Sequence, residues 1–187
     1  MSSDKEKIYY ELLAIRCRRN DTKALEELIH LFETRLFYYL RRLVDEEEDA
    51  WDLLQETWMK VIKSIHQLKE PRKLPVWLYS IARNTAMSHL RKTISYGNLL
   101  KEHDLNTPDE NNQISFDWVD PEKIHKALQQ ISLPHREALT LFFLEEFTIE
   151  EIGNLLEIPN GTVKSRIYHA KQEMRKILEK EGITHAG

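Results

Sequence analysis

Apolar residues recur at steps of three and four along most of the chain, whereas the alternation typical of strands does not occur. Proline first appears at Pro71 and glycine at Gly97, so few residues interrupt the helical pattern in the first half. We therefore predict an all-α protein. The predicted helices cover about residues 5–18, 22–44, 48–67, 75–92, 121–131 and 133–146, and a final pair lies within 147–178.

The first two helices carry clear apolar stripes. In the first, Ile8, Leu12 and Ile15 lie on one side. Asp21 or Thr22 is placed to cap the second helix. The core stripe predicted for that helix consists of Leu25, Leu28, Ile29, Phe32, Leu36, Leu40 and Leu43.

The stretch 147–178 predicts a helix-turn-helix. Thr148 and Glu151 form a capping box, Phe147 and Ile152 form a hydrophobic staple, and Pro159 ends the first helix. Glu157 stands in the turn where glycine is usual, and a positive φ there would cost about 1 kcal/mol. The second helix has one apolar stripe, while its other side carries Thr162, Lys164, Ser165, Arg166, Tyr168, His169 and Gln172. This basic, polar face is shaped for a DNA major groove, although a plain helical hairpin with a solvated outer face has the same periodicity.

The helix predicted over 48–67 has two contrasting faces. Its core stripe contains Ala50, Trp51, Leu54, Trp58, Val61, Ile62 and Ile65. Leu53 and Met59 fall on the opposite face, among Asp49, Asp52, Gln55, Glu56 and Lys60. Apolar residues framed by carboxylates favour a docking surface for a basic partner over a simple solvated face.

Residues 69–92 combine a basic loop with a helix of mixed surface. The loop carries Lys69, Arg72 and Lys73. The helix is predicted to bury Leu78, Ile81, Ala82 and Thr85 and to expose Trp77, Ser80, Arg83, Asn84, Met87 and Arg91. Aromatic, amide and basic groups together can stack on unpaired bases and neutralise phosphates. The alternative is that Trp77 is a core residue and the arginines are merely solvated.

Charge is segregated along the 187 residues, although the formal net charge is only −4. Acidic residues concentrate in 45–56 and 102–122, and basic residues in 69–92 and 164–180. Between about 93 and 120 the helical pattern gives way to a polar, acidic stretch, which predicts a flexible linker between two domains. A net negative protein should bind DNA weakly by itself, so we expect a partner that also holds DNA.

Several classes of function are disfavoured. Cys17 is the only cysteine, which excludes intrachain disulfides and multi-cysteine zinc sites. No nucleophile and base pair, phosphate-binding loop or metal-ligand spacing is present, and consecutive carboxylates such as 45–49 diverge around a helix. We therefore expect neither an enzyme nor a cofactor. The sequence has no apolar stretch long enough to span a membrane, and its start lacks the apolar core of a signal peptide, so we expect a cytoplasmic protein.

Three motifs in order resemble the bacterial RNA polymerase sigma factors of the extracytoplasmic-function class, in the sigma-70 family. They are DAWDLLQE at 49–56, WLYSIARN at 77–84 and GTVKSR at 161–166, with the acidic stretch between the last two. The resemblance implies a region-2-like domain over 1–92, a linker over 93–120 and a region-4-like domain over 121–187.

The resemblance also implies partners and roles. The partners are core RNA polymerase, through its β′ clamp helices and β flap, promoter DNA and an anti-sigma factor, with no insertion into a membrane. Residues in the position of core-docking residues are Asp49, Asp52, Leu53, Gln55 and Glu56. The loop 69–74 and Asn84 correspond to residues that bind the melted minus-ten element, and Lys164, Ser165, Arg166 and His169 to residues that read the minus-thirty-five duplex.

The match has three departures. Ser88 stands where the family often has Asp, Leu74 where it often has Phe, and His169 where it often has Arg. A histidine contact would make minus-thirty-five binding weaker and more pH-sensitive than an arginine contact. The competing function is a dimeric helix-turn-helix regulator that acts without polymerase, which would leave the face of 69–92 without a role.

Overall fold

The computed structural model describes residues 4–93 and 121–182, and their regular structure is helical. Two short 3-10 helices, Ile65–Gln67 and Pro71–Lys73, lie between the third and fourth α-helices. The α-helices are α1 Asp4–Arg18, α2 Thr22–Leu43, α3 Glu47–Ser64, α4 Leu74–Thr93, α5 Pro121–Gln129, α6 Leu133–Phe143, α7 Ile149–Leu156 and α8 Asn160–Lys180. The all-α prediction is confirmed, and most of the predicted linker, residues 94–120, lies outside the described residues.

The chain divides into two compact units, Met1–Ile94 and Ser95–Gly187, which we call unit 1 and unit 2. No helix in the parts of the chain that the structure describes is both long and apolar enough to cross a lipid bilayer.

In unit 1, α2 and α4 each pack against the three other α-helices of the unit. The predicted N-cap is confirmed, since the Asp21 carboxylate accepts a hydrogen bond of 3.1 Å from the Ala24 N–H. Six apolar side chains of α2 are buried with Ala24: Leu28, Phe32, Leu36, Tyr39, Leu40 and Leu43.

Helix α1 buries a different face from the obvious apolar stripe. Its buried side chains are Leu13, Ala14 and Cys17, whereas Ile8 and Leu12 are each 57% exposed. The helix packs against α2, α4 and both 3-10 helices. The smaller Ala14 and Cys17 side chains permit a close approach to these neighbours, so packing overrides the stripe of larger residues.

Unit 2 has its own core at the junction of α5, α6 and α8. Its buried members are Ala127, Leu128, Ile131, Leu139, Ala170, Met174 and Leu178. Arg136 is buried beside them, and its guanidinium donates to the carbonyl oxygens of Gln129 at 3.1 Å and Ile131 at 3.2 Å. The arginine thereby satisfies backbone groups at the end of α5 that have no helical partner.

Helices α7 and α8 form the predicted helix-turn-helix. The capping box is confirmed, because the Thr148 side chain accepts from the Glu151 N–H and the Glu151 carboxylate accepts from the Thr148 N–H. Glu157 ends α7 in the left-handed conformation at φ 59°. A Cβ atom on Gly153 would lie 2.6 Å from Asn160 Oδ1 and 3.1 Å from the Ile158 carbonyl oxygen, so a larger residue would have to displace the Asn160 side chain and crowd this carbonyl group.

Candidate nucleic-acid and partner interfaces

The first turns of α8 present the predicted duplex-reading face. Lys164 is exposed, and Thr162, Ser165 and Arg166 are half-buried beside it. They lie in the first two turns of α8, next to the helix N-terminus, whose free N–H groups and dipole attract phosphate. The stripe that packs inward on the same helix is Val163, Ile167, Ala170, Met174 and Leu178, which fixes the polar residues on the outside.

His169 lies at the edge of that face, on the side toward α6. Its ring lies 6.0 Å from the ring of His135 on α6, nearly parallel to it, and its Nε2 atom is buried. His135 Nδ1 in turn lies 3.2 Å from a carboxylate oxygen of Glu173. His169 therefore faces the α6 side of the helix. Its contact with DNA stays a prediction, because a wheel position at the edge of a face leaves the direction of the side chain to the neighbouring helix.

The basic residues of α8 differ in their surroundings. Lys171 lies over the Phe143 ring with Nζ 4.7 Å from the centroid, and burial lowers the pKa of Lys171. Arg175 donates to Glu179 at 2.8 Å. Lys164 and Arg166, in the second turn, are the basic residues of the predicted duplex-reading face.

The predicted single-strand face lies on α4. Trp77 and Ser80 are half-buried and Asn84 is exposed, and their spacing of three and four residues places them along one side of the helix. Met87 was predicted to continue this line outward, but it is only 3% exposed. The predicted inward residues Leu78, Ala82 and Thr85 are buried. Met87 joins them because α4 packs against several elements, namely α1, α2 and α3.

The basic loop before α4 is anchored at its C-terminal end. Leu74, the last residue of the predicted loop, is fully buried and begins α4, so it is not available to a base. Lys73 pairs with Glu70 at 2.9 Å, and Arg72 pairs with Glu11 of α1 at 2.9 Å. Lys69 is exposed. Exposed ion pairs of this kind are weak, so phosphate groups can replace the carboxylates.

The docking helix α3 is rotated relative to the prediction. Leu53 is only 3% exposed, so its predicted place on the outer face is wrong, whereas Met59 is 57% exposed as expected. The Thr57 hydroxyl donates to the Leu53 carbonyl oxygen at 2.7 Å, which allows this polar residue to be buried too. Because α3 packs against both α2 and α4, its buried face is centred between them, roughly 40° from the predicted centre at 100° per residue.

Trp51 and Ile62 were predicted to be core residues, and both are exposed. The Trp51 ring stacks on Phe37 of α2 at 4.1 Å between centroids. Trp51, Gln55, Met59 and Ile62 fall at steps of four, four and three, so they form a continuous exposed surface, which we call the α3 face. This spacing was visible in the sequence, but the apolar residues of the helix are too numerous to say which of them face outward.

Carboxylates flank the α3 face. Asp52 and Glu56 are exposed. Glu56 pairs with Lys60 at 2.7 Å, and Lys60 also donates to Thr85 on α4 at 3.0 Å. Asp49 lies 3.4 Å from His89 on α4. Asp49 therefore belongs to the seam between α3 and α4, while Asp52 stands beside the exposed apolar residues.

Neither a reactive thiol nor a metal cluster emerges from the described residues. Burial raises the pKa of the Cys17 thiol to about 11, so it is protonated at neutral pH. No group of three His, Cys, Asp or Glu residues within 4–93 and 121–182 could hold a metal ion.

Two family models match the chain, one in each unit. The model of sigma-70 region 2 matches residues 28–94, and that of sigma-70 region 4 matches residues 122–174. The first contains α3 and α4, and the second contains the helix-turn-helix.

Similar proteins extend over nearly the whole chain. The RNA polymerase sigma-H factor of Pseudomonas aeruginosa is 28% identical and covers 89% of this chain and 92% of its own length. The ECF RNA polymerase sigma factor SigW of Bacillus subtilis is 27% identical, covering 86% and 92%. The RNA polymerase sigma factor CarQ of Myxococcus xanthus is 31% identical, covering 87% and 94%.

Solved structures share the fold. The sigma factor RpoE of Bartonella quintana, in complex with the anti-sigma factor NepR, matches with a TM-score of 0.67 at 24% identity, covering 84% of this chain and 98% of that one. CnrH, in complex with the cytosolic domain of CnrY, matches with a TM-score of 0.69 at 17% identity, covering 92% and 98%.

Proposed function

The chain belongs to the sigma-70 family of RNA polymerase sigma factors, in the extracytoplasmic-function class, and we propose how its two units divide the work of initiation. As such a factor it binds core RNA polymerase and directs it to promoters. We infer that unit 1 docks on the polymerase and reads the minus-ten element as melted strand, while unit 2 reads the minus-thirty-five element as duplex. The observation that carries this division is that each matched region has its own exposed face of fitting chemistry.

Docking on the polymerase is assigned to the α3 face. Its exposed side chains Trp51, Met59 and Ile62 supply apolar area, and Asp52 and Gln55 supply polar contacts. Apolar anchors with a polar rim are typical of protein interfaces. The family's β′ clamp helices are the proposed partner of this face, and its β flap the proposed partner of unit 2.

Promoter reading is assigned to α4 and α8. The melted minus-ten strand would contact Lys69, Arg72 and Lys73 of the loop, together with Trp77, Ser80 and Asn84 of α4. Trp77 can stack on an unpaired base, and the loop cations can neutralise phosphates. The duplex would contact Thr162, Lys164, Ser165 and Arg166, which enter the major groove from the start of α8.

Two further expectations belong to this proposal. A related fold is bound by an anti-sigma factor in the Bartonella quintana complex, and we propose such an inhibitor for this chain. The protein would act in the cytoplasm, where core polymerase is, and as a binding factor rather than as an enzyme. The dimeric regulator is less favoured, because it assigns nothing to the region-2 match or to the exposed face of α4.

The experiment separates duplex binding from strand opening. Arg166→Ala removes a charge and a bidentate contact worth about 1 to 3 kcal/mol, so holoenzyme carrying it should form less closed complex in filter binding. Asn84→Ala should leave closed binding nearly unchanged and reduce permanganate reactivity of melted thymines, because unpaired bases are exposed only after opening.

The matched control is Glu26→Ala, an exposed change on α2 that lies outside the loop 69–74 and outside the line of Trp77, Ser80 and Asn84. It should alter neither step. If Arg166→Ala and Asn84→Ala lose duplex binding in parallel, with no separate melting defect, the assignment of unit 1 to the melted strand is wrong.

A further inference from the structure

Helix α1 carries an apolar surface that no part of the described fold covers. Ile8 and Leu12 are each 57% exposed, and Ile15 is half-buried beside them. These residues, which we call the α1 stripe, lie on the side of the helix opposite the buried Leu13, Ala14 and Cys17. The helix is therefore apolar on two sides, and only one of them contributes to the core of unit 1.

The spacing of the stripe is that of a helix-packing seam. Steps of four and three residues between Ile8, Leu12 and Ile15 match the heptad positions through which two helices interlock. Two branched aliphatic residues with more than half of their surface in water are a cost to the free protein unless another molecule buries them.

The charges around the stripe decide what kind of helix fits it. At its C-terminal end Arg18 and Arg19 are exposed, while at its N-terminal end Asp4 and Lys5 offset each other. Lys7 is exposed and adds a positive charge, whereas Arg16 pairs with Asp21 and Glu27, and Glu11 pairs with Arg72. The electrostatic potential beside the stripe is therefore positive.

A second copy of this chain does not supply the negative charge that would pair with Arg18 and Arg19. In a parallel pair of α1 helices, the arginines of one copy would face those of the other. In an antiparallel pair they would face Asp4 and Lys5, whose charges cancel. Carboxylates beside the apolar stripe of a different helix would satisfy both arginines in either direction.

We propose that the α1 stripe is the docking site for one amphipathic helix of another protein, with aliphatic residues at heptad spacing flanked by Asp or Glu. The α1 stripe and the α3 face lie on different helices of unit 1. The contact of α1 with the loop before α4, through Glu11 and Arg72, places the site next to the proposed minus-ten reader.

The test uses the full-length chain and two labelled helical peptides of about three heptads. Both have Leu at the seam positions; one has Glu and the other Lys at all flanking positions. In fluorescence anisotropy the Glu peptide should bind at least tenfold more tightly than the Lys peptide, and added salt should narrow this ratio. The double variant Ile8→Ser with Leu12→Ser should weaken binding of the Glu peptide at least tenfold.

The matched control is Met59→Ser with Ile62→Ser, which removes a similar exposed apolar area from the α3 face and should leave peptide binding unchanged. The melting temperatures of both double variants should stay close to that of wild type, since all four side chains are exposed. Equal affinity for the two peptides, or unchanged binding by the Ile8 and Leu12 variant, would overturn the proposal.

Two other occupants of the α1 stripe would give results of their own, and either result would overturn the proposal. Light scattering that shows a dimer of the wild-type chain, lost in the Ile8 and Leu12 variant, would assign the stripe to a second copy. A labelled peptide of residues 101–120 that binds as tightly as the Glu peptide, and only when the stripe is intact, would assign it to the chain's own acidic segment. None of these outcomes depends on promoter or polymerase binding.

Discussion

At the scale of single residues, Glu157 has a strained backbone conformation that costs the folded protein some stability. Its backbone is left-handed at φ 59°, a conformation that only glycine adopts without penalty. The turn between α7 and α8 needs this conformation, because the chain must reverse beside Gly153 and its close neighbour Asn160.

We predict that Glu157→Gly stabilises unit 2 by about 0.5 to 1 kcal/mol, since the relief of strain outweighs the added flexibility of the unfolded chain. Differential scanning calorimetry of the unit 2 transition would measure the gain. The control is Glu150→Gly in the regular backbone of α7, which should destabilise by about 1 kcal/mol. A loss of stability in both variants would contradict the argument.

A second residue-scale feature is the charged cluster that joins α1 to α2. A hydrogen bond from the Ala24 N–H, aided by Arg16, lowers the pKa of Asp21. A hydrogen bond from the Tyr9 hydroxyl, also aided by Arg16, lowers the pKa of Glu27. Carboxyl groups with lowered folded-state pKa values stabilise the fold when the pH is above their unfolded values of about 4, and this contribution is lost as pH falls through the folded values.

Accordingly, we expect the double variant Asp21→Asn with Glu27→Gln to be less thermally stable than wild type at pH 6. The deficit should shrink as the pH is lowered below about 4, because the wild-type carboxylates become protonated there. Thermal melts followed by circular dichroism, from pH 6 to below about pH 4, would measure the difference in melting temperature between the variant and wild type. A deficit that stays constant with pH would show that the charges of these two groups contribute nothing.

At the scale of elements, α3 separates folding from docking along one helix. Leu53 contacts the interior, and Met59 and Ile62 contact water, although the sequence groups Leu53 with Met59. Substitution of Leu53 should therefore lower the stability of the protein, whereas substitution of Met59 and Ile62 should weaken polymerase binding.

The prediction is that Leu53→Ala costs about 2 to 5 kcal/mol of stability by leaving a cavity, while Met59→Ser with Ile62→Ser leaves the melting temperature nearly unchanged. The exposed pair should instead lower affinity for core polymerase, measured by competition against a labelled sigma factor. Normal affinity in a folded Met59 and Ile62 variant would exclude the α3 face as the docking surface.

At the scale of the whole molecule, the formal net charge of −4 opposes unaided binding to DNA. Two basic residues of α8 already have partners within the protein, because Lys171 packs on Phe143 and Arg175 pairs with Glu179. Core polymerase would supply the missing attraction by holding the DNA.

We therefore expect the isolated chain to bind promoter duplex poorly near 0.15 M salt, and holoenzyme to bind it well under the same conditions. Filter binding with promoter and scrambled duplexes would compare the two. Submicromolar, sequence-specific binding by the isolated chain would instead support the regulator that acts without polymerase.

The sequence by itself determined which segments are helical and where several of them begin and end. Caps, prolines and apolar periodicity act through contacts between near neighbours, so Asp21, the capping box of Thr148 and Glu151, and the turn at Glu157 could all be predicted. The motif order likewise indicated the family before any tertiary contact was known.

Only the tertiary structure decided which side of α1, α3 and α4 is buried and which way His169 points. Each of these helices has more than one partner, so the centre of its buried face depends on where those partners lie and not on its own apolar residues. Ile8, Leu12 and Ile62 consequently face water, while Leu53 and Met87 are buried. When a helix is apolar on two sides, its own sequence does not specify which side is buried. Packing against the neighbouring helices then decides which side faces the core.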